Sequence, residues 1–271
     1  MASDSRLRAE PSVILAGIPF DDIGMRATAE RIVAWATDGS FGYVCTPNVD
    51  YVMRASRDRD FRAAILGARL RVPDGMGLIY GSRIAGSHIR ETVTGRLLPQ
   101  EVLKIKDASR IPIALLGGRP GVVERAASAL RAAGASVVEA IGPSIPFTIG
   151  SAEDAAATAR LAASGARIIF VGLGAPRQEV WMAAHQHELE SVLVGIGAGL
   201  DVIAGQVAEA PRWMTRIGLE WAFRLVHEPR RLARRYLIDD PPFFWWMLRQ
   251  RLGRTRDVAQ EPPDDRIRNS P

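Results

Sequence analysis

The sequence predicts an α/β protein built around a mostly parallel sheet, and three observations support this fold class. Between residues 13 and about 200, short apolar runs alternate with amphipathic stretches. Several apolar runs end in glycine or small polar residues, as strands do at the ligand-binding edge of such sheets. After residue 210 the composition changes, and tryptophan and arginine become frequent. We therefore expect a Rossmann-like sheet with helices on both faces, followed by a C-terminal helical appendage.

The expected elements follow from the apolar runs and the amphipathic segments between them. Strands are expected at residues 13–17, 43–45, 70–72, 113–116, 137–139, 168–171 and 193–196. Helices are expected at residues 25–37, 49–66, 76–85, 97–109, 120–133, 151–163 and 176–190. These elements give a main domain over residues 11–210 and an appendage over residues 211–252, with a break near Pro241 and Pro242. Residues 1–10 and 253–271 are expected to be disordered.

The composition excludes several classes of protein. The chain has 271 residues, of which 47% are hydrophobic and 24% charged, so it can bury a core. The single cysteine, Cys45, excludes an internal disulfide and a structural zinc site, and it indicates a reducing compartment. The sequence contains no apolar run of about 18 residues and no secretion signal at its start. We therefore expect a cytoplasmic protein without a membrane span.

The basic charge of the chain is concentrated in one segment. Eleven arginines and four acidic residues lie between residues 212 and 256, which gives this segment a charge of +7. Because the whole chain carries +5, the remainder carries −2. Such a segment suggests an anionic partner, and nucleic acid, anionic lipid and substrate phosphates are the candidates.

Polar side chains follow two of the expected strands at the edge where open α/β sheets bind ligands. Thr46 and Asn48 come directly after the strand at 43–45, although both residue types also cap helices well. Asp74 comes after the strand at 70–72 within a Pro-Asp-Gly sequence, which in isolation is more often a turn. These three residues are candidates for chemistry, with capping or turn formation as the alternative.

A third strand end is rich in glycine and precedes a helix. Gly117 and Gly118 would let the backbone approach a diphosphate, and the N-terminus of the following helix would attract it. The spacing is GGxxG rather than the dinucleotide fingerprint GxGxxG, but Glu139 lies about 20 residues further on, where a ribose would be held. An NAD-linked oxidoreductase therefore stays open as an alternative, although no typical hydride-transfer acid or base accompanies the motif.

The most specific segment is GLGAPRQE, residues 172–179, which joins an expected strand to an expected helix. Proline suits the first turn of a helix, and Glu179 is at the distance of a capping carboxylate. Capping does not explain Arg177 and Gln178 as easily, so both are candidates for substrate binding.

Two pairs of residues are not expected to bind metal. Asp58 and Asp60 lie two apart in an expected helix and so point to different faces, and His185 and His187 have the same spacing. We interpret both pairs as surface residues.

Taken together, the motifs resemble the WecG/TagA/CpsF glycosyltransferase family over roughly residues 13–240. No single motif is specific to the family, but the order of the motifs along the chain is. The two longest motifs carry most of the resemblance. The motifs are Thr46-x-Asn48, Pro73-Asp74-Gly75, Val93-Thr94-Gly95, Leu115-Leu116-Gly117-Gly118, GLGAPRQE at 172–179, Ala210-Pro211 and LEWAFRLVHEPRR at 219–231.

The resemblance implies an inverting, metal-independent transferase. It would move N-acetylmannosamine, its uronic acid or glucose from a UDP-sugar to an undecaprenyl-diphosphate-linked saccharide in surface or exopolysaccharide synthesis. Asp74 matches the family's proposed base, and Thr46, Asn48 and Gln178 match its active-site neighbours. Arg224 and Arg231 match arginines that close over the site. We add a further group of substrate-binding candidates: Gly117, Gly118, Arg177 and Glu179.

The chain departs from the family pattern at several positions. Thr92 and Leu97 stand where the family has arginine and aspartate, and Glu209 replaces an arginine before Ala210. A Gly-aromatic motif is absent from residues 142–147. These departures suggest a divergent member of the exopolysaccharide type.

The expected partners follow from this chemistry. They are the UDP-sugar donor, the lipid-linked acceptor and an anionic membrane surface on the cytoplasmic side, with further copies of the chain as an open question. Arginines and aromatic residues at 212–226 and 242–252 have the composition of an interfacial helix, although Trp213, Trp221 and Phe223 could equally pack on the main domain. A nucleic-acid-binding module is the remaining alternative, and it would leave Asp74 and Gln178 unexplained.

Overall fold

A computed structural model describes residues 13–144, 147–206 and 240–253. The first two strands, β1 (Val13–Leu15) and β2 (Ile18–Phe20), form an antiparallel hairpin. Six further strands are β3 (Gly42–Cys45), β4 (Leu70–Arg71), β5 (Ile113–Gly117), β6 (Val137–Ile141), β7 (Ile168–Gly172) and β8 (Val192–Gly195). They form one sheet in the order β4-β3-β8-β7-β5-β6, and every neighbouring pair is parallel. The expected α/β fold class is confirmed.

Helices connect the strands and cover the sheet. They are α1 (Met25–Asp38), α2 (Val49–Ala55), α3 (Arg59–Gly67), α4 (Met76–Ile84), α5 (Leu98–Leu103), α6 (Val122–Ala132), α7 (Ala152–Ala163), α8 (Arg177–Leu189), α9 (Gly199–Ile203) and α10 (Pro241–Arg251). Two short 3₁₀ turns lie at Gly95–Leu97 and Ala108–Arg110. The two prolines at the expected break in the appendage, Pro241 and Pro242, begin α10, where their missing N–H groups cost no hydrogen bond.

Three expected elements were wrong in extent. The single helix expected at 49–66 is two helices, because the Asp58 carboxylate accepts a hydrogen bond from the N–H of Phe61 (2.9 Å) and starts α3. The strand expected at 13–17 ends in a turn at Ala16 and Gly17, both with positive φ, and β2 follows. The helix expected at 97–109 is regular only over α5.

Each face of the sheet has its own hydrophobic core. On one face, buried residues of α1, α5, α6 and α9 pack against the strands, with Trp35 and Leu115 among them. On the other face, α7 and α8 pack through residues such as Leu161 and Trp181. The four central strands, β3, β5, β7 and β8, are buried on both faces, which explains their nearly continuous apolar sequences, such as Ile113–Gly117.

A third core joins α10 to the main domain. Phe243 and Met247 are fully buried and pack against α4, where a Cβ at Gly81 would lie only 2.3 Å from the Phe243 ring. Gln250 also binds the hairpin, since it accepts from the N–H of Ala16 (3.1 Å) and donates to the carbonyl of Ile14 (2.7 Å). The rest of the expected appendage, residues 211–239, lies outside the described residues, as do residues 1–10 and nearly all of the expected tail.

The strand order fixes where a ligand can enter. The chain leaves β5 toward β6 at one edge of the sheet and leaves β7 toward β8 in the opposite direction. Right-handed crossovers in opposite directions put α6 and α8 on opposite faces, which agrees with the two separate cores. A crevice therefore opens between the carboxyl ends of β5 and β7.

Candidate active site

A cleft of about 240 Å³ occupies this crevice at the carboxyl ends of β5, β7 and β8. Four loops contribute to its lining: residues 118–119 after β5, residues 143–144 and 147 after β6, residues 172–174 and 177 around the start of α8, and residues 197–198 and 201 after β8. The N-termini of α6 and α8 follow two of these loops, and the positive ends of the two helix dipoles favour an anionic ligand.

Two guanidinium groups add positive charge to the cleft. Arg119 forms an ion pair with Asp201 across the opening, with 3.1 Å between Nη2 and Oδ1. Arg177, from the first turn of α8, makes long contacts to the carbonyl oxygens of Phe147 (3.4 Å) and Leu173 (3.5 Å). Asp201 was not among the residues expected from the sequence, since the turn at 195–201 has the composition of simple close packing. Arg119 belongs to the segment 117–121, which the sequence indicated for the diphosphate.

The two expected glycines have different surroundings. Gly118 lines the cleft with φ near +80°. Gly117 has φ near +123°, and a Cβ there would lie 2.4 Å from the carbonyl oxygen of Gly172. The missing side chain at Gly117 thus allows β5 and β7 to approach at their ends, which brings the two loops of the cleft together.

The expected catalytic residues meet in a corner beside this cleft, at the ends of β3 and β4. The N–H of Asp74 donates to the carbonyl of Pro47 (2.9 Å), which places Asp74 against the loop that carries Thr46 and Asn48. Thr46 is buried and Asp74 half-buried. Asn48 caps α2 by accepting from the N–H of Tyr51 (3.2 Å), so the capping role considered for it is present.

Gln178 links this corner to the cleft. Its Oε1 accepts from the N–H of Gly197 (2.9 Å), and its Nε2 lies so close to Gly195 that a Cβ there would be 2.4 Å away. Gly95 is packed as tightly on the other side, since its Cβ would lie 2.6 Å from Thr46 Oγ1 and 3.0 Å from the carbonyl of Gly195. The loops after β3 and β8 and the segment around Gly95 are therefore in direct contact.

Glu179 has no capping role, and the prediction of a cap was wrong. The residue before α8 is Pro176, which has no N–H for the carboxylate to accept. The side chain is instead fully buried, and its Oε1 accepts from Tyr51 Oη (2.8 Å) and Gln178 Nε2 (2.7 Å). Burial raises the pKa of Glu179 from 4.5 to about 7, although the hydrogen bonds from Tyr51 and Gln178 oppose the shift. Direct substrate contact, as expected from the sequence, does not agree with this burial.

Tyr51 is the residue of this corner that the sequence reasoning missed. Burial is the main cause that holds its pKa well above the ordinary value, and the charge and hydrogen bond of Glu179 act in the same direction. The charge of Asp74 contributes as well, so its carboxylate lies within electrostatic range of the Tyr51 hydroxyl. The available signal was position: Tyr51 lies three residues after the cap Asn48, on the buried side of α2.

The remaining candidates lie elsewhere. Glu139 lies on β6, outside the cleft lining, and forms an ion pair with Arg160 of α7 (2.9 Å). His187 is exposed as expected, but His185 is not a surface residue, because it contacts the buried carboxylate of Asp154 (3.2 Å). Within the described residues, His, Cys, Asp and Glu form no group of three placed to hold a metal ion. Arg224 and Arg231 lie outside the described residues.

The fold and the site define a class: an α/β protein with a glycine-rich cleft and a nearby carboxylate at the carboxyl edge of a parallel sheet. Comparison with known families agrees with this class. The model of the "Glycosyl transferase WecG/TagA/CpsF family" matches residues 13–257. The chain belongs to this family and is a glycosyltransferase, which leaves no support for an NAD-linked oxidoreductase or a nucleic-acid-binding module.

Curated relatives are similar over most of their length. An N-acetylglucosaminyldiphosphoundecaprenol N-acetyl-beta-D-mannosaminyltransferase of Bacillus subtilis (strain 168) is 26% identical over 226 residues, which cover 80% of this chain and 84% of the relative. A protein of the same name from Staphylococcus aureus (strain MW2) is 29% identical over 229 residues, which cover 82% and 87% respectively. Among the described helices, none is long and apolar enough to cross a bilayer.

Proposed function

We propose that the protein transfers a sugar from a UDP-sugar to an undecaprenyl-diphosphate-linked saccharide, with inversion at the anomeric carbon and without a metal ion. The sugar is of the N-acetylmannosamine, N-acetylmannosaminuronic acid or glucose type. The observation that carries the proposal is the position of Asp74 against the loop that carries Thr46 and Asn48, near a cleft with two arginines. The names of the relatives support the lipid-linked acceptor.

The chemistry assigns one role to each side of the site. On the acceptor side, a hydroxyl oxygen attacks the anomeric carbon of the donor sugar, and Asp74 takes the proton of that hydroxyl as general base. On the donor side, the bond between the anomeric carbon and the phosphate oxygen breaks, and its electron pair goes to UDP. Arg119, Arg177 and the helix N-termini of the cleft stabilise the negative charge that develops there.

The lipid-linked acceptor requires the enzyme to work at a membrane, and α10 supplies a suitable surface. Trp245 and Leu248 on this helix and Leu252 directly after it are exposed large apolar residues, and Arg249 lies near the Trp245 ring (5.7 Å). Exposed aromatic side chains beside arginines favour the interface of an anionic bilayer. We propose peripheral attachment to the cytoplasmic face of the membrane through this helix and the arginine-rich segment before it.

The decisive experiment offers a panel of UDP-sugars with a short-chain prenyl-diphosphate-linked saccharide as acceptor, with and without EDTA. We expect one UDP-sugar to be transferred with inverted configuration and no loss of rate in EDTA. Asp74→Asn should lower kcat by about 10²–10⁴-fold, the usual contribution of a positioned base, while UDP still protects the variant against thermal unfolding. Transfer at the wild-type rate by folded Asp74→Asn would refute the assignment of the base.

A further inference from the structure

We propose that Glu179 is a positioning residue of the transferase, which acts through Gln178 and does not itself touch substrate. The inference rests on the proposed function, because Gln178, itself buried, is taken to hold the Gly197 loop at the wall of the donor cleft. It assigns a role to a carboxylate that the proton transfer from the acceptor does not use.

The geometry of Gln178 supports the inference first. Its amide is held at both ends, since Oε1 accepts from the N–H of Gly197 (2.9 Å) and Nε2 donates to Glu179 Oε1 (2.7 Å). An amide held in this way cannot exchange its oxygen and nitrogen, so Oε1 keeps the N–H of Gly197, a residue of the cleft lining, in one position. Without the Glu179 carboxylate, one of the two constraints would be lost.

The position of Glu179 in its helix explains why this residue turns inward. Glu179 is the third residue of α8, where a carboxylate commonly reaches back to the capping N–H. Pro176 offers no N–H, so the side chain is free to enter the space between α8 and α2. There Tyr51 Oη donates to the same Oε1 (2.8 Å), which fixes the carboxylate that in turn fixes Gln178.

The burial of Glu179 excludes the simpler role of a ligand. The side chain is fully buried, and among the described residues its Oε2 has no hydrogen-bond partner. A buried carboxylate with one unused oxygen is costly for the fold. An apolar side chain would fill the same space without this cost. The buried carboxylate is therefore explained by the group that its Oε1 orients.

The kinetic test uses a nearly isosteric pair of substitutions. Glu179→Met removes the acceptor and should lower kcat by about 100-fold, with KM for the UDP-sugar changed by less than about threefold. Glu179→Gln keeps one accepting oxygen and should recover part of the loss. In the Gln178→Ala background, Glu179→Met should lower kcat by less than about twofold further, because its route of action is already gone. If the kcat losses of Gln178→Ala and Glu179→Met multiply in the double variant, the inference is overturned.

The matched control is Glu188→Met. Glu188 lies in the same helix as Glu179, but it is exposed in the last turn, so kcat should not change. A second variant avoids the buried charge altogether. Gly195→Ala would place a Cβ 2.4 Å from Gln178 Nε2 and should reproduce the fall in kcat with Glu179 intact. An active Gly195→Ala enzyme with wild-type kcat would contradict the role of Gln178 orientation.

A readout that needs no activity separates this inference from the proposed function. The side-chain amide resonance of Gln178, assigned by its loss in Gln178→Ala, should shift in Glu179→Gln and Gly195→Ala but stay in place in Glu188→Gln. An unchanged resonance in Glu179→Gln overturns the positioning role. Absence of transfer by the wild-type protein with every UDP-sugar would contradict the proposed function alone.

Discussion

At the scale of single residues, the end of β5 is set by backbone geometry. Gly117 has a positive φ, and a Cβ added to it would collide with the backbone of Gly172. Gly134 also has a positive φ, near +90°, but a Cβ there would meet only open space. Both costs of adding a side chain apply at Gly117, but only one applies at Gly134. Alanine substitutions at these two glycines therefore separate the cost of disturbing the close packing of the strands from the cost of the backbone conformation alone.

We expect Gly117→Ala to lower the free energy of unfolding by about 3 kcal/mol, since a left-handed backbone costs about 1–2 kcal/mol and overpacking about 1–3 kcal/mol. Gly134→Ala should cost only about 1–2 kcal/mol, the conformational part. Urea unfolding of both variants measures the difference. Equal losses would mean that β5 and β7 do not need their close approach.

The buried carboxyl of Glu179 makes stability depend on pH. Its pKa is about 7 in the folded chain and about 4.5 when unfolded, so between these values the folded state holds a proton that the unfolded state has released. Stability therefore falls as the pH rises from about 4.5 to 7 and levels off above, with a total of about 3 kcal/mol. Below pH 4.5 both states are protonated and the contribution vanishes.

Glu179→Gln cannot ionise, so we expect it to lose this dependence. Between pH 5 and pH 8, the free energy of unfolding should fall by about 2.5 kcal/mol less in the variant than in the wild type. Urea unfolding at the two pH values gives both numbers, and Glu124→Gln serves as the exposed control. Parallel curves for wild type and Glu179→Gln would show that this carboxyl does not titrate near pH 7.

Residues of the site differ in how far the sequence could predict them. Asp74 and Thr46 follow strands with clear apolar patterns, so their position at one sheet edge was predictable. The role of Glu179 was not, because its partner Tyr51 lies 128 residues away and local spacing favoured a cap. Tertiary contacts of this kind have no signal in a single sequence.

At the scale of elements, the strands of the sheet were predicted to within about two residues, because buried parallel strands have short, nearly continuous apolar runs. The order of the strands was not predictable, because the position of β8 between β3 and β7 depends on the direction of every crossover, which the sequence does not give. The sequence also assigned the aromatic run 242–252 mainly to a membrane. In the structure one face of α10 is core, which an apolar pattern alone does not distinguish from an interfacial face.

The packing of α10 leads to a prediction for this element. Phe243→Ala should lower the free energy of unfolding by about 3–4 kcal/mol, the usual cost of emptying a fully buried aromatic site. Trp245→Ala on the exposed side of the same helix should change it by less than about 0.5 kcal/mol. Urea unfolding compares the two. Similar small effects would mean that α10 does not depend on its contact with α4.

At the scale of the whole molecule, the two halves of the proposed reaction lie at one edge of the sheet. We propose the cleft between β5 and β7 as the donor side and the corner at β3 and β4 as the acceptor side. The third core, which α10 shares with the hairpin and α2 to α4, lies against the acceptor side through α2 and α4. An enzyme that receives a lipid-linked acceptor there needs its membrane-facing surface close to that corner.

This arrangement predicts that α10 contributes to membrane attachment while its core face stays packed. The wild-type protein should bind vesicles that contain anionic lipid at low salt and should bind neutral vesicles weakly. Replacing both Arg249 and Arg251 by glutamine should weaken binding by about 30-fold, because each arginine near such a surface contributes about 1 kcal/mol. The matched control replaces Arg26 and Arg110, both highly exposed and outside α10, with the same change in net charge. Co-sedimentation at several salt concentrations measures all three proteins. If the control loses as much binding as the α10 variant, attachment depends on overall charge and not on this helix.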